Sequence, residues 1–568
     1  MGMCSFGAFL AGTILVFLAS HCYSEKDPSF LKEATSSPEV VHYDYIIIGG
    51  GTASCPLAAT LSQNATVLVL ERGGSPYGNP SITNLGNFLT NLLDISPNSP
   101  AQLFLSEDGV FSHRARILGG GSALNAGFYS RGSAAFVEKA GWNKTLVEES
   151  YEWVEKKVAF EPVVGPWQSA VRDGLFEAGV FPNNGFTYEH LYGTKIGGTI
   201  FDEQGHRHTA ADLLQYADPS NIVVYLHATV QKILFRYKPG ASRPEAYGVI
   251  YKDSNGILHR AYLINNSKNE IIVSAGALGS PQLLMLSGIG PAHHLKAHGI
   301  NVVMDQPMVG QGMADNSMNI LFIPSPMPVE VSLIEAVGIT RFHSFIEAAS
   351  GLSISLPLVQ ELHKYFEPIL YQITNHTFTS TRPGERIDLV PNNITFKGGI
   401  ILQKVDGPVS TGHLELKNTN IDKNPSVTFN YYKEQEDLNR CVGGMETIIG
   451  VINSKAFSRF QYPNIPVQLY LNLIEKVPLN LRPKHVGPSI SLEQFCRDTV
   501  MSIWHYHGGC QVGKVVDNEY KVLGVDALRV IDGSTFMASP GTNPQATVMM
   551  LGRYMGSRIL HARASGNK

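Results

Sequence analysis

The sequence is poor in concentrated charge. Its 44 Lys and Arg are balanced by 48 Asp and Glu, a formal charge of −4, with no block of one sign. A nucleic-acid partner therefore has no electrostatic footing, and a small molecule is the expected partner. Cysteine is also sparse: there are six, no two at CxxC spacing, so neither a zinc site nor any other metal is indicated. No fixed-period repeat and no stretch dominated by one residue type is present, which excludes repeat arrays and low-complexity tails. Long apolar runs are missing beyond the first 20 residues, so no second membrane span is expected. What remains is a chain of 568 residues, 43% hydrophobic, long enough for a large core and more than one structural unit. Its 55 Gly and 32 Pro suit a loop-rich enzyme.

The one long apolar run, Phe6 to Ala19, is followed by small and polar residues such as Ser20 and Ser24. It reads as a secretion signal over residues 1–24, cleaved from a secreted, extracellular or cell-wall protein, with an uncleaved anchor as the alternative. No Lys or Arg precedes the run. With the signal removed, Cys55, Cys441, Cys496 and Cys510 remain in an oxidising compartment, and Asn64, Asn143, Asn265, Asn375 and Asn393 are Asn-x-Ser/Thr acceptors for glycosylation.

Tyr43 to Ile48 reads as a buried parallel strand that runs into Gly49, Gly50 and Gly51, and Pro56 to Ser62 follows with a helical pattern. In such a unit Gly49 permits the tight turn, and Gly51 lets the backbone approach a pyrophosphate at the helix N-terminus. Ser54 stands at the third glycine position, where a side chain is expected to hold helix and strand apart and weaken cofactor binding. A second strand, Thr66 to Leu70, ends at Glu71, about 20 residues past the glycines, where a carboxylate accepts hydrogen bonds from a ribose. A surface carboxylate is the alternative for Glu71, and the unit alone does not separate FAD from NAD.

Two further segments are more specific: Ala115 to Gly132, ARILGGGSALNAGFYSRG, and Gly276 to Gly290, GALGSPQLLMLSGIG. They resemble the two signature patterns of the glucose-methanol-choline family of FAD oxidoreductases. From about Tyr43 to the C-terminal helix the chain is similar to the plant branch of that family, the HOTHEAD-like proteins and (R)-mandelonitrile lyases. The resemblance implies an α/β fold in which a Rossmann-type FAD-binding domain, 43–300 and 500–564, is interleaved with a substrate domain built on an antiparallel sheet. The substrate domain is mainly 301–499, with excursions inside 140–220. Gly412 to Leu416 and Ser426 to Phe429 read as strands in this region, where the family has a sheet that roofs the substrate cavity. Pro324 to Pro391 reads as a variable lid.

The resemblance also assigns residues. FAD, held non-covalently, would be bound by Gly49, Gly51, Thr52, Ala53, Glu71, Arg72, Ile117, Gly121, Asn125, Ala126, Gly127, Phe128, Trp504, Asp532, Gly533, Asn543 and Gln545. Val230, on an expected strand His227 to Ile233, would meet the adenine end. The segment Ile503 to Gly513, IWHYHGGCQVG, aligns His505 with the catalytic base and leaves His507 as the alternative. A strand here would point both histidines to one face. Asp532 to Ser534 follows an expected strand, Ala527 to Ile531. Pro540 to Pro544 reads as a helix start with Asn543 as cap, its positive end suited to negative charge on the flavin. The matching cysteines of the plant lyases pair, which implies a disulfide between Cys441 and Cys496, with Cys55 and Cys510 free.

The implied reaction is oxidation of an alcohol to an aldehyde, with a long-chain hydroxy acid as one possible substrate, His505 as base and Asn543 as hydrogen-bonding partner. The alternative is cleavage of a cyanohydrin, with FAD present but never reduced. The lyases carry a second histidine where this chain has Asn543 and a tyrosine where it has Ile503, which favours oxidation. A catalytically silent secreted glycoprotein is the third reading. The alcohol, the electron acceptor and the oligomeric state are not read from the sequence.

Overall fold

A computed structural model describes residues 27–355, 395–485, 490–541 and 543–565. The expected signal segment, Asn375, Asn393 and the later part of the expected lid lie outside the described residues. Tyr45–Ile48, Val67–Leu70 and Glu270–Val273 are buried at every position, the pattern of strands covered on both faces. They lie in one parallel six-stranded sheet, in the order Leu31–Glu33, Ile222–Leu226, Val67–Leu70, Tyr45–Ile48, Glu270–Val273, Leu528–Val530. The strand after the excursion is Thr229–Arg236, so His227 and Ala228, expected in it, precede it.

The helix after Gly51 runs from Ser54 to Leu61 and begins two residues earlier than its apolar pattern indicates. Ser54 accounts for this, since its buried hydroxyl turns back to donate to the Gly51 carbonyl at 3.0 Å within the first turn. Gly49 holds φ +97°, and a Cβ there would stand 2.5 Å from the Ser274 oxygen, so only glycine fits. This first helix packs tightly on the C-terminal helix Gln545–Ser565. A Cβ on Gly552 would stand 2.1 Å from the Ala53 oxygen, and one on Gly556 would stand 2.8 Å from Thr60 Cβ. The C-terminal helix starts at Gln545, with Asn543 and Pro544 just before it.

A seven-stranded sheet forms the second layer, in the order Met501–Ser502, Ser317–Pro324, Thr395–Val405, Ser344–Ser355, Ala336–Ile339, Gly193–Ile196, Asn183–Phe186. All its neighbours are antiparallel except the last pair. This corrects two expectations. Gly412–Glu415 and Ser426–Thr428 do pair, but with Gln311–Met313 in a separate three-stranded sheet. Ala336–Ile339 and Ser344–Ser355, inside the expected lid, are inner strands of the large sheet, their alternation hidden because both faces are covered.

Helix Gln435–Ile452 covers this sheet with Leu438, Cys441, Met445, Ile448 and Ile452, spaced to form one apolar stripe. Cys441 is joined to Cys496 of helix Leu492–Asp498, as the resemblance implies, with Cα atoms 6.3 Å apart. Cys55 and Cys510 are free and buried. Among the described residues no helix is long and apolar enough to cross a membrane.

Replacing Gly552 with Ala forces the first and last helices apart, and the cost expected for such overpacking is about 1–3 kcal/mol. Urea unfolding of Gly552→Ala against the wild type measures it, and unchanged stability would show that this contact yields without cost.

Candidate active site

Two glycine turns meet at the C-terminal end of the parallel sheet. The Gly119 N–H donates to the Gly50 carbonyl at 2.7 Å, and the Thr52 hydroxyl to the Gly119 carbonyl at 3.1 Å. A Cβ on Gly120 would stand 2.8 Å from Gly51 Cα. A Cβ on Gly121, Gly276 or Gly533, by contrast, would meet no protein atom within 4 Å. The turns press on each other yet open on one side into space the protein leaves for something else. That is a cradle shaped for a nucleotide backbone, with Ala53 directly before the first helix.

Glu71 is no surface carboxylate. It is buried, and its two oxygens accept from the Gly50 and Gly73 N–H groups, each at 2.7 Å. Each oxygen keeps a lone pair for a ribose hydroxyl. The Ala228 N–H donates to the Glu71 carbonyl at 2.8 Å, which brings the strand carrying buried Val230 beside it. Arg72 sends Nη2 to the Ala115 carbonyl at 2.9 Å, and burial lowers the pKa of its guanidinium.

At the other end of the cradle Asn125 gives Nδ2 to Gln545 Oε1 at 2.8 Å and accepts from the Gly127 N–H at 2.9 Å, while Gln545 Nε2 donates to the Phe128 carbonyl at 2.6 Å. Trp504 packs with Ala126 and Ile117 in one apolar cluster. Asp532 is buried and accepts from Gly276 N at 2.8 Å, Ser280 Oγ at 2.5 Å and Ser534 N at 2.8 Å, tying the C-terminal strand to helix Gly276–Leu286; burial raises its pKa. Among the expected cofactor residues, Glu71 is bonded to the Gly50 turn, Asn125, Gly127, Phe128 and Gln545 are linked by hydrogen bonds, and Ile117, Ala126 and Trp504 share one apolar cluster. The glycine cradle, the buried carboxylate and the polar tie at Gln545 fit FAD.

The histidine segment departs from expectation. Its strand ends at Ser502, Trp504 holds φ +63°, and His505 and His507 lie in the following loop. The organiser is Asp315, which no motif marks. Its Oδ1 accepts the His505 N–H at 3.0 Å, and its Oδ2 accepts the Tyr431 and Ser502 hydroxyls at 2.6 and 2.7 Å. Burial pushes the Asp315 carboxyl up to about 6, against those bonds. Such an anchor takes the place of the missing strand.

His507 is paired through both backbone groups with Ala314, at 2.8 and 3.0 Å, and its Nδ1 donates to the His505 carbonyl at 3.1 Å. Burial lowers its imidazole to about 4. His505 Nδ1 lies 3.3 Å from Asn316 Nδ2, which is also 3.3 Å from Ser539 Oγ. Burial first, then the charges of Lys404 and His507, hold its imidazole well below the ordinary histidine range.

Asn543 meets a group that sequence reasoning missed. Lys404 Nζ lies 2.6 Å from Asn543 Oδ1 and 2.7 Å from Glu347 Oε1, and neither charged side chain is exposed. Burial raises the Glu347 pKa and lowers that of Lys404, while each charge opposes the shift of the other. The available signal was a lysine in ILQKV and a glutamate in FIEAA, two charges inside otherwise apolar strands. Beside them Ile503 packs against Met318 and Leu402, with Ile320, Ile400 and Trp504 partly covered around that cluster.

Comparison with known proteins identifies a family. The family described as GMC oxidoreductase matches residues 43–318 with its N-terminal part and 408–552 with its C-terminal part. Protein HOTHEAD of Arabidopsis thaliana is 53% identical over 93% of this chain and 89% of its own length. An (R)-mandelonitrile lyase-like protein of the same plant is 46% identical over 94% and 92%. A sinalpyl alcohol oxidase of Nesocodon mauritianus is 42% identical over 94% and 92%. Among solved structures a formate oxidase, 18% identical, superimposes with a TM-score of 0.72 over 93% of this chain and 100% of its own, a likeness of fold.

The depressed His507 pKa has a sign that can be tested. The folded group binds its proton only near pH 4, the unfolded one near about 6.5. Its contribution to stability is therefore whole above about pH 6.5 and is lost as pH falls towards 4. Between pH 7 and 5 the wild type should lose about 2 kcal/mol more than His507→Gln. Urea titrations at both pH values measure this, and parallel losses would show that His507 does not titrate on unfolding.

Proposed function

Because the chain belongs to the GMC oxidoreductase family and its cofactor is FAD, we propose that it oxidises an alcohol with an apolar carbon skeleton, His505 taking the hydroxyl proton and Asn543 donating to the alcohol oxygen. FAD, when bound, supplies the acceptor for hydride from the carbinol carbon. The observation that carries the reading is the seating of His505, whose backbone N–H is held by Asp315 Oδ1 at 3.0 Å and whose Nδ1 lies 3.3 Å from Asn316 Nδ2. Burial lowers the pKa of its imidazole, which favours the neutral form that a general base requires. Asn316 supports the useful tautomer. Its carbonyl oxygen is buried without a partner among the described residues, and rotating the amide by half a turn sets that oxygen against a proton on His505 Nδ1. Nε2 is then the accepting atom.

The cluster of Met318, Leu402 and Ile503, bordered by Ile320 and Ile400, suits an apolar substrate body. It also argues against cyanohydrin cleavage, since Ile503 supplies no hydroxyl and Asn543 no second imidazole. Secretion is part of the proposal, supported by the disulfide and by the exposed acceptors Asn64, Asn143 and Asn265.

Anaerobic bleaching of the bound flavin by a panel of alcohols tests the reading. His505→Ala should slow bleaching by about 10² to 10⁴ while retaining FAD, and Asn543→Ala should slow it less, having lost an orienting bond rather than the proton acceptor. Glu71→Ala should lower the flavin bound per chain by removing the ribose acceptors. Wild-type protein that cleaves mandelonitrile while its flavin stays oxidised with every alcohol would overturn the proposal in favour of the lyase.

A further inference from the structure

The roof of the site holds a buried ion pair that the proposed chemistry leaves unexplained. Lys404, on strand Thr395–Val405, and Glu347, on the neighbouring strand Ser344–Ser355, have no solvent exposure, and Nζ lies 2.7 Å from Oε1. Such a pair is commonly no more favourable than well-packed apolar side chains of the same volume. Stability alone is a poor reason for it. Its third partner is more telling, because Lys404 Nζ also lies 2.6 Å from Asn543 Oδ1 while sitting 4.3 Å from the centre of the Phe345 ring.

An ammonium group has three hydrogens and no acceptor, so the Asn543 atom that faces it must be the carbonyl oxygen. The choice between oxygen and nitrogen, open for many asparagines, is closed here. The amide nitrogen carries two hydrogens. Among the described residues no hydrogen bond joins that nitrogen to Glu347, whose Oε2 is buried without a partner, so its hydrogens remain for other acceptors, a ligand oxygen among them.

We propose that Lys404, anchored by Glu347, is a positioning residue that turns the Asn543 amide so that an N–H, and not the carbonyl oxygen, meets the substrate oxygen. The ammonium polarises that amide, so the outward N–H becomes a stronger donor as negative charge builds on the oxygen when its proton leaves for His505. The arrangement also selects substrates. An alcohol keeps a lone pair for this N–H while its own hydrogen goes to His505, whereas a protonated amine at the same place has none. The inference rests on the roles proposed above for His505 and Asn543.

The test is a coupling measurement. Lys404→Met/Glu347→Met replaces the pair with apolar side chains, so that no lone charge is left buried. Its limiting rate of flavin bleaching by an accepted alcohol is compared with the wild type, then measured again in an Asn543→Ala background, with rates expressed per bound flavin. The expected result is a loss of about tenfold in the limiting rate with little change in KM in the first comparison, and less than about twofold in the second. Equal losses in both backgrounds, or none in the first, would overturn the proposal. If the double variant does not retain flavin, Glu347→Gln, which keeps the shape of the anchor, is put through the same two comparisons with the same criteria. If the wild type releases cyanide from mandelonitrile and no alcohol bleaches its flavin, alcohol oxidation fails as the function. The coupling between Lys404 and Asn543 is then read in the rate of cyanide release, with the same outcomes deciding it.

Discussion

The backbone contact between the turns Gly49–Gly51 and Gly119–Gly121 is the constraint on which the rest of the molecule depends. Gly119 donates to Gly50 at 2.7 Å, and no side chain fits between the turns, since a Cβ on Gly120 would stand 2.8 Å from Gly51 Cα. Because the turns close on each other here, the glycines beside them stay open to a ligand. Both flanking helices are drawn to the same place. Ser54–Leu61 leaves from the first turn, and Gln545–Ser565 packs against it through Gly552 and Gly556 while its first residue, Gln545, bonds to Asn125 and Phe128. The two glycine turns and the C-terminal segment that carries Asn543 are thereby tied together.

The second sheet brings electrostatics to His505 and Asn543. Asp315, just before strand Ser317–Pro324, holds the backbone of His505, and Lys404 with Glu347 holds Asn543. The two residues proposed for chemistry stand on loops, whereas the residues that hold them are buried and lie on or beside strands of the sheet. Precise geometry on a loop requires support of this kind, because loop backbone alone is mobile. Burial first, then the charges of Lys404 and His507, lower the pKa of the His505 imidazole, so Lys404 acts on both His505 and Asn543.

Legibility in the sequence followed the kind of constraint involved. The parallel strands Tyr45–Ile48 and Val67–Leu70 were readable because both of their faces are buried and each ends on a glycine or a carboxylate with a spacing set by the nucleotide. The pairing of Cys441 with Cys496 followed from the family resemblance, and the structure contains it. Strands Ala336–Ile339 and Ser344–Ser355 are not distinguishable from a lid in the sequence, because an apolar stretch without turn signals reads the same as a loop cover or as a doubly covered strand. The strand expected through His505 failed at Trp504, where a left-handed backbone accompanies a local bond from its N–H to the Ser502 hydroxyl and ring contacts with Phe88 and His113 that no local pattern announces. Asp315, Asn316, Glu347 and Lys404 were invisible for a related reason. Asp315, Asn316 and Lys404 matter through partners more than 100 residues away, Tyr431, His505 and Asn543, and Glu347 matters through Lys404, 57 residues away.

The central claim is that this arrangement removes a hydride and a proton from one alcohol carbon and its oxygen. The most direct measurement is stopped-flow bleaching of the flavin, without oxygen, by an alcohol carrying deuterium on the carbinol carbon. The account predicts bleaching several-fold slower than with the protium alcohol at every pH, because that carbon–hydrogen bond breaks in the observed step. Bleaching at the same rate for both isotopes, or no bleaching by any alcohol, would contradict it.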